Sequence, residues 1–212
     1  MPGRIIAIDG PAASGKSSVA KGVAATFGFT FVSSGHFYRA LAWGAIRDKI
    51  SVSLSTDSVN EWALCQKITL IGSQLLLNGE DATPYLADSE VAAMVSKIAV
   101  FPSVRDLVNG NLRALSASHD LVMEGRDIGS VVFPETPYKF YLDASLEERA
   151  RRRAKEGAID SIAERDRLDS TRATAPLTIP PGAIVIDTTH LSLVEVIQAV
   201  LSKLKEVTPS FS

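Results

Sequence analysis

Lys16 is the residue whose neighbours most clearly set it up for chemistry. It follows Gly10, Pro11, Ala12, Ala13, Ser14 and Gly15 and precedes Ser17 and Ser18, a run that reads G-x-x-x-x-G-K-[ST]. Residues of these types at this spacing hold the phosphates of a nucleoside triphosphate. Glycines let the backbone turn its N–H groups inward, the lysine reaches the β- and γ-phosphates, and the serine hydroxyl of Ser17 can hold Mg²⁺. A chance match is the bland alternative, and the flanks argue against it. The Ile-rich run at 4–9 predicts a buried parallel strand, and 17–27 has apolar residues at helical spacing, with Gly28 at the expected stop. The helix behind the loop would point its positive dipole end at the bound phosphates.

Other groups of charged residues stand at expected ends of elements. Ser34, Tyr38 and Arg39 follow an aromatic and β-branched strand candidate at 29–33 and enter a helix over 36–46. Glu124 ends a strand candidate at 120–124 and leads into Gly125-Arg126-Asp127-Ile128-Gly129. Glycines around a charged pair fit close backbone placement beside a ligand, and equally an ordinary turn with a solvated ion pair. Asp9, Glu124 and Asp127 lie where ligands bind in open parallel sheets, beyond the carboxyl ends of strands. Asp143, before a helix, reads as its cap, and Asp187 as a turn residue. Arg165, Asp169 and Arg172 share one face of an expected helix, either as a salt-bridged surface or as part of a phosphate-covering lid. Seven of the thirteen arginines, at 149, 151, 152, 153, 165, 167 and 172, fall in this one stretch. Ser96 and Arg105 gain no role from this reading.

The elements that must position these groups alternate between strand and helix, with strands also at 138–142 and 183–186 and a last helix over 192–205. The rhythm breaks at 67–83, where two short apolar runs flank Gly72-Ser73 and Asn78-Gly79 follows, which predicts hairpins. Helices are expected over 56–64, 89–100 and 102–117. Composition suits one α/β domain: 212 residues, 46% hydrophobic, 22% charged and a net charge of −2. That charge gives no global attraction to nucleic acid or anionic membrane. Cys65, the one cysteine, cannot form an internal disulfide and reads as a small packed hydrophobe. A monomeric cytoplasmic protein without nucleic-acid or membrane partners is expected. His36, His119 and His190 show no ligand spacing.

Five stretches together carry a resemblance: GPAASGKSS, SSGHFYRALAW, VSKIAVFPSVR, EGRDIGSVVFP and ERDRLDSTRATAPL. In order and spacing the chain resembles the bacterial-type cytidylate kinases, P-loop nucleoside monophosphate kinases, over nearly its whole length. The resemblance implies a P-loop NTPase-type three-layer α/β fold. Its core, about 1–33, 119–148 and 176–212, would hold a five-stranded parallel sheet. An inserted small antiparallel sheet would lie in a monophosphate-binding region at about 34–118, with an arginine-rich lid at about 149–175. It implies transfer of the γ-phosphate of ATP to CMP or dCMP, with Mg²⁺ as cofactor. Residues 10–18 would hold ATP. Ser34, Tyr38, Arg39 and Arg126 would lie at the acceptor nucleotide, Ser96, Arg105 and Asp127 would read the cytosine, and Asp169 and Arg172 would reach ribose and phosphate from the lid. Lys16, Arg126, Arg165 and Arg172 would act in catalysis. A P-loop kinase for another small acceptor, or a non-catalytic nucleotide-binding regulator, is the competing reading. No Asn-Lys-x-Asp guanine-reading motif is present.

Overall fold

The computed structural model describes residues 3–51, 56–155, 166–167 and 176–207. The chain divides into two compact units, Met1–Ser33 with Leu115–Ser212, and Ser34–Ala114.

The first unit is built on a parallel sheet in the order β2-β6-β1-β7-β8. Its strands are β1 (Ile5–Asp9), β2 (Thr30–Ser33), β6 (Leu121–Gly125), β7 (Tyr138–Asp143) and β8 (Ile184–Asp187). β1 lies in the middle, and all five of its residues are buried. A strand covered on both faces can be apolar throughout, which is why 4–9 reads as a run rather than an alternation. Helices α1 (Lys16–Phe27) and α7 (Leu193–Val207) pack on it. Val19, Ala20, Val23 and Ala24 of α1 and Val196, Val200 and Leu204 of α7 join Ile6, Ile8, Val122, Phe140 and Leu142 in one core. Burying each large side chain contributes about 1.5–3 kcal/mol before entropy is counted. Gly28 ends α1 in the left-handed conformation (φ 67°), its N–H bonded to the Ala24 carbonyl, as its type and position predict. Helix α6 (Leu146–Lys155) follows β7.

The second unit holds α2 (Ser34–Arg47), α3 (Thr56–Leu64), α4 (Ser89–Ile98) and most of α5 (Pro102–Leu115). It also holds an antiparallel sheet of β3 (Ile68–Ile71), β4 (Gln74–Leu77) and β5 (Glu80–Asp81). Two hairpins make this sheet, and both turns carry positive φ, at Gly72 and at Asn78-Gly79. The antiparallel module expected from the sequence is therefore present.

Three local expectations need correction. The helix expected over 36–46 begins two residues earlier, with Ser34 and Gly35 in the first turn of α2. Asp143 does not cap α6. Its Oδ1 accepts from the adjacent Ala144 N–H at 2.8 Å, and the Ser145 hydroxyl, three residues before Glu148, accepts the Glu148 N–H at 3.2 Å. Cys65, just past the end of α3 at Leu64, is exposed rather than packed. Asp187 does hold a turn, accepting from the Thr189 N–H at 2.9 Å, and that bond and the Thr189 hydroxyl keep its carboxyl below the usual range.

Candidate active site

The carboxyl ends of β2, β6, β1 and β7 lie side by side, since Asp9 is in register with Gly125 and Tyr141, and Ser33 with Glu124. The loop after β1 turns through three positive φ values, 155° at Gly10, 57° at Ala13 and 89° at Gly15. Ala13 is the informative one, because a non-glycine residue held in this region stores strain, which concentrates at functional sites.

The loop is held by its carbonyl oxygens. Arg126 donates to the Gly10 carbonyl at 3.0 Å, Lys16 Nζ to that of Pro11 at 3.0 Å, Arg149 to that of Ala12 at 3.3 Å and the Thr188 hydroxyl to that of Ser14 at 3.1 Å. These bonds fix the peptide groups of the loop, and α1 begins at Lys16. Three of the four donors are cations, so the loop is a positively charged cradle suited to a polyanion. Ser17 and Ser18, in the first turn of α1, are exposed.

Two of those donors are reinforced. Arg149, 8% exposed, also donates to the Ala144 carbonyl and pairs with Asp166, whose Oδ1 accepts the Ala12 N–H at 3.3 Å. Arg152 donates to both oxygens of Thr188, at 3.0 and 2.6 Å, and is braced by Glu148 at 2.9 Å. Glu148 also pairs with Arg151, and the two arginines hold its carboxyl down to about 2.

The carboxylates at the strand ends differ in use. Glu124 is buried and accepts the Ser33 hydroxyl. Asp9 is wholly buried and accepts the Ile128 N–H at 2.8 Å and the Gly129 N–H at 2.7 Å. Burial pushes Asp9 up to about 7 against the two amides and Lys16, which favour its charge. Asp127, buried, opens a π-helical turn, Ile128–Val132.

In the second unit, Arg105 on α5 is 2% exposed. Its guanidinium lies 5.7 Å from the centre of the Tyr38 ring and donates to the Ala99 carbonyl at 3.4 Å. Arg39 on α2 donates to the Leu86 carbonyl at 2.7 Å, Ser34 is buried at the start of α2, and Ser96 is half-buried on α4. Tyr38 and Arg105 are thus brought together. Arg165, Asp169 and Arg172 lie outside the described residues.

The sequence reading missed Arg149, Asp166 and Thr188 as loop-holding residues, and gave Arg105 no role of its own. A signal for Arg105 was present. With Phe101, Val104, Val108 and Leu112, it falls on the inward stripe of α5, where a permanent cation needs a reason.

The residues present fit a magnesium ion carried on a nucleotide. Among the described residues no three His, Cys, Asp or Glu side chains cluster to cage a metal, and Asp9 is engaged by two amides. Magnesium is commonly held by one or two protein oxygens together with substrate phosphates and water, and the exposed Ser17 hydroxyl offers such an oxygen.

The profile of the cytidylate kinase family matches residues 6–206, from inside β1 to the last turn of α7. A cytidylate kinase from Caldanaerobacter subterraneus subsp. tengcongensis is 41% identical over 214 residues, covering 96% of this chain and 95% of that protein. One from Solibacter usitatus is 41% identical over 210 residues, covering 93% and 90%. Among solved structures, shikimate kinase from Acinetobacter baumannii is 14% identical and shares the fold, with a TM-score of 0.50 over 97% of this chain and 95% of that one. Likeness that runs from the first strand to the last helix, and so takes in the loop and the turn after β6, makes this chain a member of the cytidylate kinase family.

Proposed function

We propose that the chain transfers the γ-phosphate of ATP to CMP or dCMP, giving ADP and CDP or dCDP. The observation that carries the reading is the loop itself. Arg126, Lys16 and Arg149 hold its carbonyl oxygens, and its amides precede a helix N-terminus.

A nucleoside monophosphate, with a second pKa of about 6, is largely dianionic at neutral pH. Its phosphate oxygen attacks the γ-phosphorus without a general base, in keeping with a reading that assigns no histidine. Residues 10–18 bind the donor's phosphates. Lys16 moves from the neutral Pro11 carbonyl onto the anionic β- and γ-phosphates, which accept from an ammonium more strongly. The Ser17 hydroxyl would hold a magnesium ion carried on the nucleotide, which would supply charge neutralisation. Arg126 stabilises the transferring group from the turn after β6. Ser34, Tyr38 and Arg39 bind the acceptor nucleotide, and Ser96, Arg105 and Asp127 read its cytosine. Arg165, Asp169 and Arg172 complete the site from a lid over about 149–175 and help exclude water, so that the acceptor rather than water is phosphorylated. Catalysis is positioning and charge neutralisation.

The test is Lys16→Ala. In a coupled ADP-release assay kcat should fall at least 100-fold, while far-UV circular dichroism stays unchanged. Near-normal turnover would refute the mechanism.

A further inference from the structure

Asp9 stands out because it is buried, acidic and beside the loop, and no role in the reaction falls to it. It ends the central strand, immediately before Gly10, and it is 0% exposed, so no substrate touches it. Each oxygen takes one amide, Oδ1 that of Ile128 and Oδ2 that of Gly129. These are the first two residues of the π-helical turn that Arg126 and Asp127 lead into. Two bonds to two adjacent amides fix the rotation of a turn as well as its distance. The tie also runs the other way, since Arg126 returns a bond to the carbonyl of Gly10. Strand end and turn are therefore doubly and reciprocally clamped. A β-carbon at Gly129 would lie 3.3 Å from Asp9 Oδ2 and 3.2 Å from both Lys139 Cγ and Pro180 Cγ, so these side chains would have to give by a few tenths of an ångström.

We infer that Asp9 is a positioning residue, which fixes where Arg126 and Asp127 stand relative to the phosphate-binding loop. The inference rests on the proposed reaction, in which the loop holds the donor while Arg126 and Asp127 serve the acceptor. Only the relation between the two depends on Asp9. A side chain that merely filled space would affect stability alone, whereas one that aims the turn affects acceptor use more than donor binding. Chemistry that requires positions held to a fraction of an ångström is sensitive to such a clamp.

Asp9→Asn keeps the shape but leaves one oxygen for two amides and turns an N–H₂ toward the second. Wild type, Asp9→Asn and Phe140→Leu, a core substitution beside β1 that controls for lost stability, are compared in the ADP-release assay and by thermal unfolding. ATP affinity is measured separately with a fluorescent analogue. For Asp9→Asn the account expects KM for CMP to rise about 10-fold and kcat to fall at least 10-fold, with ATP affinity within about 2-fold of wild type. Phe140→Leu should lower the unfolding temperature and leave both kinetic constants near wild type. If Asp9→Asn does not fold, Gly129→Ala, which presses on the same carboxylate from the turn, should give the same pattern. Kinetic constants near wild type in a folded variant, or equal loss of ATP and CMP affinity, would overturn the assignment. The wild-type rows test the reaction by themselves. If wild type prefers another acceptor, the CMP reading fails, and the variant-to-wild-type ratios on that acceptor still decide the role of Asp9. If it phosphorylates none, reading and assignment fall together.

Discussion

Gly10→Ala and Gly28→Ala make a matched pair that tests whether the phosphate-binding loop is shaped by its packing. Both glycines have positive φ, 155° and 67°; Gly10 opens the loop before α1 and Gly28 ends that helix. They differ in surroundings. A β-carbon on Gly10 would lie 2.2 Å from the backbone carbonyl oxygen of Leu142 and 2.9 Å from Ser14 Oγ, whereas one on Gly28 meets nothing within 4 Å. The Leu142 carbonyl belongs to β7, which is paired on both sides, so it cannot yield cheaply. Dihedral strain of about 1–3 kcal/mol adds to overpacking of about 1–3 kcal/mol, so Gly10→Ala should cost about 4 kcal/mol. Gly28→Ala carries only the left-handed penalty, about 1 kcal/mol, partly offset by a stiffer unfolded chain. For a chain of this size the Tm shifts are about 10 °C or more and about 2–4 °C. Thermal unfolding followed by circular dichroism measures both, and titration with a fluorescent ATP analogue reports the loop directly. Affinity should fall at least 10-fold for Gly10→Ala and stay within about 2-fold for Gly28→Ala, because only the first forces the loop away from β7. Equal shifts in the two variants, or a Gly10→Ala protein that binds ATP normally, would refute the reasoning.

Two further predictions follow from the groups around the loop. Arg149→Met removes a buried guanidinium with three partners and strands the Asp166 carboxylate against the Ala12 amide, so chemical denaturation should show a loss of about 2–3 kcal/mol; a loss under 1 kcal/mol would contradict it. Asp9 gives a pH dependence of known sign. Its carboxyl titrates at about 7 when folded and near 4 when unfolded, so between these values the folded state holds a proton that the unfolded state lacks. Stability should therefore fall as pH rises from about 4 to 7 by an amount that Asp9→Asn removes. Identical slopes in wild type and variant would contradict this.

The sheet, the phosphate-binding loop and the hairpin module were legible because each leaves a local trace. β1 is apolar along its whole length since both faces are covered, and Gly28 and Asn78-Gly79 stand where the backbone needs left-handed residues. What the sequence hid is tertiary. The grip of Arg149, Asp166 and Thr188 on the loop joins residues 137, 154 and 174 positions away from their partners, and nothing in local composition separates Arg149 from its neighbouring arginines. Asp143 was misread because an acidic residue before a helix looks like a cap from composition alone. Ser145, two residues on, stands at the geometrically correct distance from Glu148. Cys65 was misread because small and apolar residues usually pack inside, while this one follows the last turn of a helix. Arg105 shows the opposite case. Its inward register on α5 was readable, and helical periodicity applied to a charged residue would have found it.

The most direct test is ADP release by the wild-type protein, with ATP and magnesium, over a panel of CMP, dCMP, UMP, AMP and GMP together with shikimate and gluconate. The account predicts turnover with CMP and dCMP at kcat/KM at least 10-fold above every other acceptor, abolished by Lys16→Ala. Preference for a purine nucleotide or for either acid, or ADP release that no acceptor stimulates, would contradict it.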